Sequence, residues 1–322
     1  MVEQEDREKL ISIVIPCYNS EKTIEKLVDL VGEEFEKLDG YRWEMVLVND
    51  FSRDQTFNAI RRVCEKYSNV IGIDLSRNFG QHNAIMAGLH YVTGDFVMGM
   101  DDDMQTHPSQ IRKFIDKINE GYDIVYGKYP QKKHSLFRNL GSKFNDWTVR
   151  KLIGKPKGLT ACSFWICRKF VRDEIIKYHN FNAHIQGLFL RTTARITNVE
   201  VQHFEREVGT SNYTLKKLLN LWMGCLNFST IPLHYVGIVG IISSLIGFVG
   251  FVFIIIYKLL HPEILAGWAS IICTISFFSG IILLSLSIIG EYVGRILLCM
   301  NNMPQFVIRE IIGQKDKDRN DA

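Results

Sequence analysis

Between Leu218 and Tyr257, and again between Ile264 and Gly290, the chain carries no Asp, Glu, Lys or Arg. No other feature narrows the possible folds as much. About 20 apolar residues in a helix, at ~1.5 Å each, suffice to cross the hydrocarbon core of a bilayer. Leu233–Tyr257 fits inside the first stretch, and Glu263 and Glu291 bound the second. The competing reading is a pair of buried core helices, which seldom pass ~18 apolar residues twice in succession. The expected organisation is a globular domain over 1–213, a juxtamembrane interfacial helix over 214–232, transmembrane helices at about 233–257 and 264–290, and a tail over 291–322. Lys216, Lys217, Arg295, Arg309 and Lys315 flank one side of the pair, while Lys258 alone marks the connecting loop. That asymmetry places both termini in the cytosol. The charged start, Met1–Lys9, has no apolar h-region and does not read as a signal peptide.

A chain of 322 residues allows one sizeable soluble domain beside such a module. A net charge of +3 is too near neutral to argue for nucleic acid. The seven cysteines are scattered without a C-x-x-C pair, which suits a reducing compartment and opposes a structural zinc site. Packing residues are the expected role for most of them.

The front half alternates short β-rich runs with helical patterns. Strands are expected at Ile11–Pro16, Glu44–Val48, Val70–Leu75, Phe96–Met100 and Ile124–Tyr126. Helices are expected after the capping candidates Asn19 and Ser20, over Asp54–Tyr67, over Gln81–Tyr91, and from Pro108. This rhythm is that of an α/β, Rossmann-like domain with a mostly parallel sheet and helices on both faces. Ligands of such sheets bind beyond the carboxyl ends of the strands, where Asn49-Asp50 and Asp101-Asp102-Asp103 fall. Lys128–Tyr213 is less regular and richer in basic residues, and reads as an acceptor-handling extension. The charged end Gln314–Ala322 reads as disordered.

Asp101, Asp103 and Gln105 alternate as the chain leaves an apolar strand, so their oxygens can converge on a hard cation, Mg²⁺ or Mn²⁺, completed by diphosphate. The competing reading is an acidic turn capping the Pro108 helix, although a cap needs one aspartate and three repel one another. Neither G-x-G-x-x-G nor G-x-x-x-x-G-K-[ST] is present, so a nucleotide would be held by strand-end side chains. His82, His107 and His134 read as hydrogen-bonding core or rim residues, and His82 alone has a claim to the site, by adjacency to Gln81. Gly290-x-x-x-Gly294 is a weak helix-packing signal.

Four motifs in order carry a resemblance: Ile13–Asn19 (IVIPCYN), Val48–Ser52 (VNDFS), Ser76–His82 (SRNFGQH) and Met100–Gln105 (MDDDMQ). Together they resemble the family 2 inverting glycosyltransferases of the GT-A fold, in the branch that acts on polyprenyl phosphates. That branch includes dolichyl-phosphate mannose synthases, bacterial glucosyl carriers and undecaprenyl-phosphate 4-deoxy-4-formamido-L-arabinose transferases. Gly80–Gly88, Ser135–Arg138, Glu205–Gly209 and Gly290–Arg295 extend the resemblance over nearly the whole chain.

The resemblance implies that Pro16, Tyr18 and Asp50 line a base pocket, with Asn19, Ser52, Arg77, Asn78, Gln81 and Asp102 also on the donor side. It implies that Asp101, Asp103 and Gln105 hold Mg²⁺ or Mn²⁺ and the donor diphosphate. Arg138, Ser142 and Arg206 would bind the acceptor phosphate, Arg138 and Ser142 being four apart on one helix face. Arginine suits that task through bidentate contacts, and surface ion pairs are the alternative for each. Asp101, Asp103, Arg138 and Arg206 are thus the catalytic candidates. The implied partners are a nucleotide sugar donor, a polyprenyl phosphate lipid, the inner (plasma) membrane and further copies of the chain as a homo-oligomer.

Three departures stand out. Asn49 replaces an acidic residue, Asn212 replaces a lysine, and Gly158–Phe164 (GLTACSF) lacks the carboxylate proposed as general base in such enzymes. A phosphate monoester ionises a second time near ~6, so a lipid phosphate is mostly a dianion at neutral pH and needs positioning more than deprotonation. Two rivals remain. A processive polysaccharide synthase would carry a Gln-x-x-Arg-Trp motif and more spans. A non-enzymatic membrane partner of a flippase would not need the motif residues intact.

Overall fold

The computed structural model describes residues 8–129, 156–181, 183–202, 231–260, 267–301 and 303–313. Two compact units emerge, one from 1–224 together with 302–322, the other from 225–301.

The first unit is an α/β domain. Its strands are β1 (Lys9–Cys17), β2 (Tyr41–Asn49), β3 (Val70–Leu75), β4 (Phe96–Gly99), β5 (Ile124–Lys128), β6 (Trp165–Arg168), β7 (Ile196–Glu200) and β8 (Ile308–Ile312). Its helices are α1 (Ile24–Phe35), α2 (Thr56–Lys66), α3 (Gln81–Leu89), a 3₁₀ turn Pro108–Gln110 running into α4 (Ile111–Asn119), α5 (Lys169–Ile175) and α6 (Ile185–Thr192). The eight strands form one sheet in the order β7-β5-β6-β4-β1-β2-β3-β8. β1 pairs in parallel with both β2 and β4, and β2 with β3. β6 runs antiparallel between β4 and β5, and β8 runs antiparallel along β3. The result is a mixed, mostly parallel sheet.

β1 is the central strand, and its seven consecutive buried residues, Ile11–Cys17, show why. A strand covered on both faces needs apolar side chains at every position. Ile11, Ile13 and Ile15 enter a core with Ile24, Leu27, Val28 and Val31 of α1 and Ile111, Phe114 and Ile118 of α4. Those helical residues recur at the i, i+3, i+4, i+7 spacing of one buried stripe. Val14 points to the opposite face, toward α3. A Cβ on Gly88 would come within 2.5 Å of Val14 Cγ1, so glycine there sets how closely α3 lies on the sheet. Each large aliphatic side chain buried in this way contributes about 1.5–3 kcal/mol.

Two expectations need correction. Helix α1 is not capped by Asn19 or Ser20. Its cap is Thr23, without a side-chain bond, and only the backbone carbonyl of Ser20 serves the first turn. The basic stretch after Lys128 holds β6, α5, α6 and β7, and the tail contributes β8, none of which the sequence pattern announced.

The second unit is a helical pair, α7 (Ile231–Leu260) and α8 (Trp268–Met300), with 30 and 33 residues. Counted over the described residues, neither is long and apolar enough to cross a membrane. The expected interfacial helix, 214–232, lies outside the described residues except for Ile231 and Pro232, which begin α7, and the tail end, 314–322, lies outside them too.

Candidate functional site

Strand order reverses at β1, whose neighbours β2 and β4 are reached by crossovers in opposite directions. Such a switch point opens a crevice beyond the carboxyl ends of the strands. Pro16 lies past the last β1–β4 pair, Val14 with Gly99, so β1 has a neighbour on one side only and a missing N–H is tolerated. The loops after β1, β2, β3 and β4 meet there. A separate groove of about 940 Å³ lies at the amino ends, lined by Trp43, Tyr67, Asp29 and Lys66 among others. It holds none of the motif residues, which gather at the carboxyl end.

The acidic triplet sits on a turn rather than on an extension of β4. The strand ends at Gly99, the amide of Asp101 donates to Thr106 Oγ1 at 3.1 Å, and Met104 has φ 63°. The alternation that would align Asp101, Asp103 and Gln105 therefore stops before it reaches them. Instead the three carboxylates take different partners. Asp101 accepts from Gln81 Nε2 at 2.8 Å and from the Ser163 hydroxyl. Asp102 accepts from the Tyr18 amide at 3.0 Å and from the Ser20 hydroxyl. Asp103 accepts from the Gln105 amide at 3.1 Å, which turns the chain back toward Pro108.

Burial, with the charges of Asp103 and Asp102 adding to it, pushes Asp101 up to about 6, against the pull of Ser163 and Gln81. Burial also raises Asp102, countered by Ser20 and Tyr18. A cluster that resists its own ionisation is suited to a cation. Among the described residues no three His, Cys, Asp or Glu side chains form a ready cage. The hard oxygens of Asp101 and Asp103 still fit Mg²⁺ or Mn²⁺, which take one or two carboxylates and complete their shell with phosphate and water.

The donor-side candidates are stitched into one rim. Asn19 donates its amide to Ser52 Oγ at 3.0 Å and accepts from the Arg53 amide at 3.0 Å. Asn49 bridges the Ser52 amide and Asp74 Oδ1, so this departure from an acidic residue serves the loop. Asp50 is buried, and its two oxygens accept from the Phe79 and Gly80 amides at 2.7 and 2.9 Å. Burial raises its carboxyl, opposed by those two bonds. Asn78 Nδ2 reaches the Asp50 carbonyl at 3.1 Å, and the Arg77 guanidinium lies 4.7 Å from the Phe79 ring centroid. Tyr18 is 49% exposed above this rim. Arg138, Ser142 and Arg206 lie outside the described residues.

Several residues in this network were not singled out by sequence as site residues. Ser163 stands in the segment whose only sequence signal is a missing carboxylate. Ser20 reads from sequence only as a cap. Asn83 binds the Phe79 and Phe181 carbonyls and the Ala183 amide, fixing α3 against the 181–184 segment. The His82 and His184 rings pack at a 44° tilt with centroids 4.9 Å apart. Burial, and then His184, hold His82 down to about 3, so it is neutral. His107 is a cap, its Nδ1 accepting from the Ser109 amide at 3.2 Å. Cys17, Cys64, Cys162 and Cys167 are free thiols, each with its pKa raised chiefly by burial.

An acidic turn at the switch point of a mostly parallel sheet, with the neighbouring loops tied to it, marks the strand ends of this α/β domain. Residues 12–177 match the family described as Glycosyl transferase family 2, and the chain belongs to that family. It is 31% identical over 314 residues to the undecaprenyl-phosphate 4-deoxy-4-formamido-L-arabinose transferase of Proteus mirabilis (strain HI4320), covering 96% of each chain. It is 30% identical to the protein of that name from Yersinia enterocolitica serotype O:8 / biotype 1B, with 98% of each covered. Among solved structures, mannosyl-3-phosphoglycerate synthase from Rubrobacter xylanophilus shares the GT-A-like fold at a TM-score of 0.50 and 15% identity, over 71% of this chain and 75% of that one.

Proposed function

We propose that this protein transfers a single sugar from a nucleotide diphosphate sugar, in the first instance a UDP-sugar, to undecaprenyl or a related polyprenyl phosphate, with inversion, at the cytosolic face of the inner membrane. The observation that carries the reading is the acidic turn at the switch point, with Tyr18 and Ser20 holding Asp102 and with Gln81 and Ser163 holding Asp101. The near full-length relatives, named for transfer to undecaprenyl phosphate, support the acceptor.

Asp101, Asp103 and Gln105 would hold Mg²⁺ or Mn²⁺ and the donor diphosphate. Bound there, the cation would offset charge on the departing nucleotide diphosphate. Tyr18, Asn19 and Ser52 shape the donor rim. Arg138, Ser142 and Arg206 grip the acceptor phosphate and present an oxygen to the anomeric carbon.

The helical pair crosses the membrane in this reading. Read whole, Ile231–Leu260 contains one charged residue, Lys258, and Trp268–Met300 contains two, Glu291 and Arg295, both near its end. Thirty helical residues span about 45 Å, more than the ~30 Å hydrocarbon core.

The test is transfer by the purified full-length chain in liposomes containing undecaprenyl phosphate. A panel of UDP-sugars, including the 4-deoxy-4-formamido-L-arabinose donor, supplies the substrates, and a lipid monophosphate sugar is the product sought. Asp103→Ala and EDTA should each abolish product while membrane insertion persists, and Mg²⁺ or Mn²⁺ should restore the EDTA-treated wild type. Full turnover in EDTA would remove the metal from the assignment.

A further inference from the structure

We infer that Phe51, backed by Arg309 from the C-terminal strand, is a specificity-determining wall of the donor site that stacks on the nucleotide base. This rests on the donor reading above and assigns a chemical class, the nucleobase, to residues that reading leaves without a role.

Phe51 stands between Asp50 and Ser52 with φ 56°, in the left-handed region. A bulky side chain is an outlier there, whereas glycine takes that conformation without penalty. The ring is not hidden in the core in compensation, being 42% exposed. It shares the crest with Tyr18, an exposed aromatic on the neighbouring loop, and the Asn19–Ser52 bond joins the two loops.

Behind the ring, the Arg309 guanidinium lies 5.5 Å from its centroid. That arginine is itself held, with Nη1 3.5 Å from Asp74 Oδ2 and Nη2 donating to the Ser76 carbonyl at 3.4 Å. Asp74 in turn accepts from Asn49 at 2.7 Å. The platform is thus fixed by β3 and β8 on one side and by the β2 loop on the other. An exposed aromatic face, a cation behind it and Arg53 and Arg77 exposed nearby match a flat base carrying an anionic tail.

The experiment titrates UDP and inorganic pyrophosphate into the full-length protein in nanodiscs. Phe51→Gly relieves the left-handed strain, so it should unfold at a temperature no lower than wild type. It should nonetheless bind UDP about tenfold more weakly, the effect of losing one base–aromatic stack. Pyrophosphate, which has no base, should bind both proteins equally. Phe51→Leu, apolar without a π face, should behave like Phe51→Gly, and Phe51→Tyr should restore UDP binding. Arg309→Ala should weaken UDP binding in the wild-type background and add nothing in Phe51→Gly.

Unchanged UDP affinity in Phe51→Gly overturns the inference. So does an equal loss for pyrophosphate, or a loss confined to partition onto lipid vesicles. A wild type that binds no UDP and no other nucleoside diphosphate overturns the donor reading itself, and this role with it.

Discussion

At the scale of single residues, the site is defined by how its carboxylates are shared out. Asp101 and Asp102 are neighbours in sequence, yet one is held by Gln81 and Ser163 and the other by Tyr18 and Ser20. The position of the acidic residues was legible, because they directly follow the apolar run Phe96–Met100 at the end of a strand. Their partners were not, since Ser163 is 62 residues from Asp101 and a hydroxyl carries no pattern of its own. The same geometry predicts a trade between stability and function. Asp101 has its pKa raised to about 6, above the ordinary ~3.9, so the folded protein binds this proton more tightly than the unfolded chain does. Wild-type stability therefore falls as pH climbs through that window, and the penalty is complete above it. Asp101→Asn, assayed in EDTA, should be more stable than wild type at pH 7.5 by about 1–3 kcal/mol and equal to it near pH 4. Added Mg²⁺ should raise the melting temperature of wild type and leave that of the variant unchanged. Equal pH profiles for the two proteins would show that the cluster is not strained.

At the scale of elements, the parallel half of the sheet could be read from periodicity, because β1 to β4 are apolar runs separated by amphipathic helices. β6, β7 and β8 could not. They are four or five residues long, and β8 (Ile308–Ile312) sits in a charged tail whose partner, β3, is more than 230 positions earlier. Pairing of that kind is set by tertiary contact and leaves little trace in local pattern. The loops behave likewise. Asp50 reads as a ligand residue, but its carboxylate is bonded to the amides of Phe79 and Gly80. Gly80, at φ 86°, lets the chain enter α3 directly from that clamp. Removing the carboxylate leaves two backbone donors without their partner, each worth about 1–3 kcal/mol when water cannot replace it. Asp50→Ala should lose roughly 2–4 kcal/mol of stability, followed by thermal unfolding, and weaken UDP binding as the 78–80 loop loosens. Asp50→Asn, which can still accept one of the two bonds, should lose less than half as much. A stable Asp50→Ala with weakened UDP binding would return the residue to a direct ligand role.

At the scale of the whole molecule, the proposed reaction joins a cytosolic donor to a phosphate carried by a membrane lipid, and the remaining question is what supplies the nucleophile. The Gly158–Phe164 segment offers no carboxylate, and Ser163 within it is committed to Asp101. The prediction is that the attacking group is the lipid phosphate dianion, whose second ionisation falls near ~6. Transfer should rise with pH through that value and level off above it. Asp101, raised to about 6 while no cation is bound, would draw a limb at the same place wherever the cation leaves it free to titrate, so the profile alone does not separate them. Ser163→Ala does. The Ser163 hydrogen bond holds the Asp101 carboxyl down, and without it that group titrates at still higher pH. A limb belonging to the lipid phosphate keeps its midpoint in Ser163→Ala while the plateau rate drops modestly, and it moves only when the acceptor is replaced by an analogue with a different second ionisation. A limb belonging to Asp101 shifts upward in Ser163→Ala and ignores the change of acceptor. The expected outcome is the first, measured as initial rates from pH 5 to 8.5 at both limiting and saturating Mg²⁺, and the second would establish a protein carboxylate as the base.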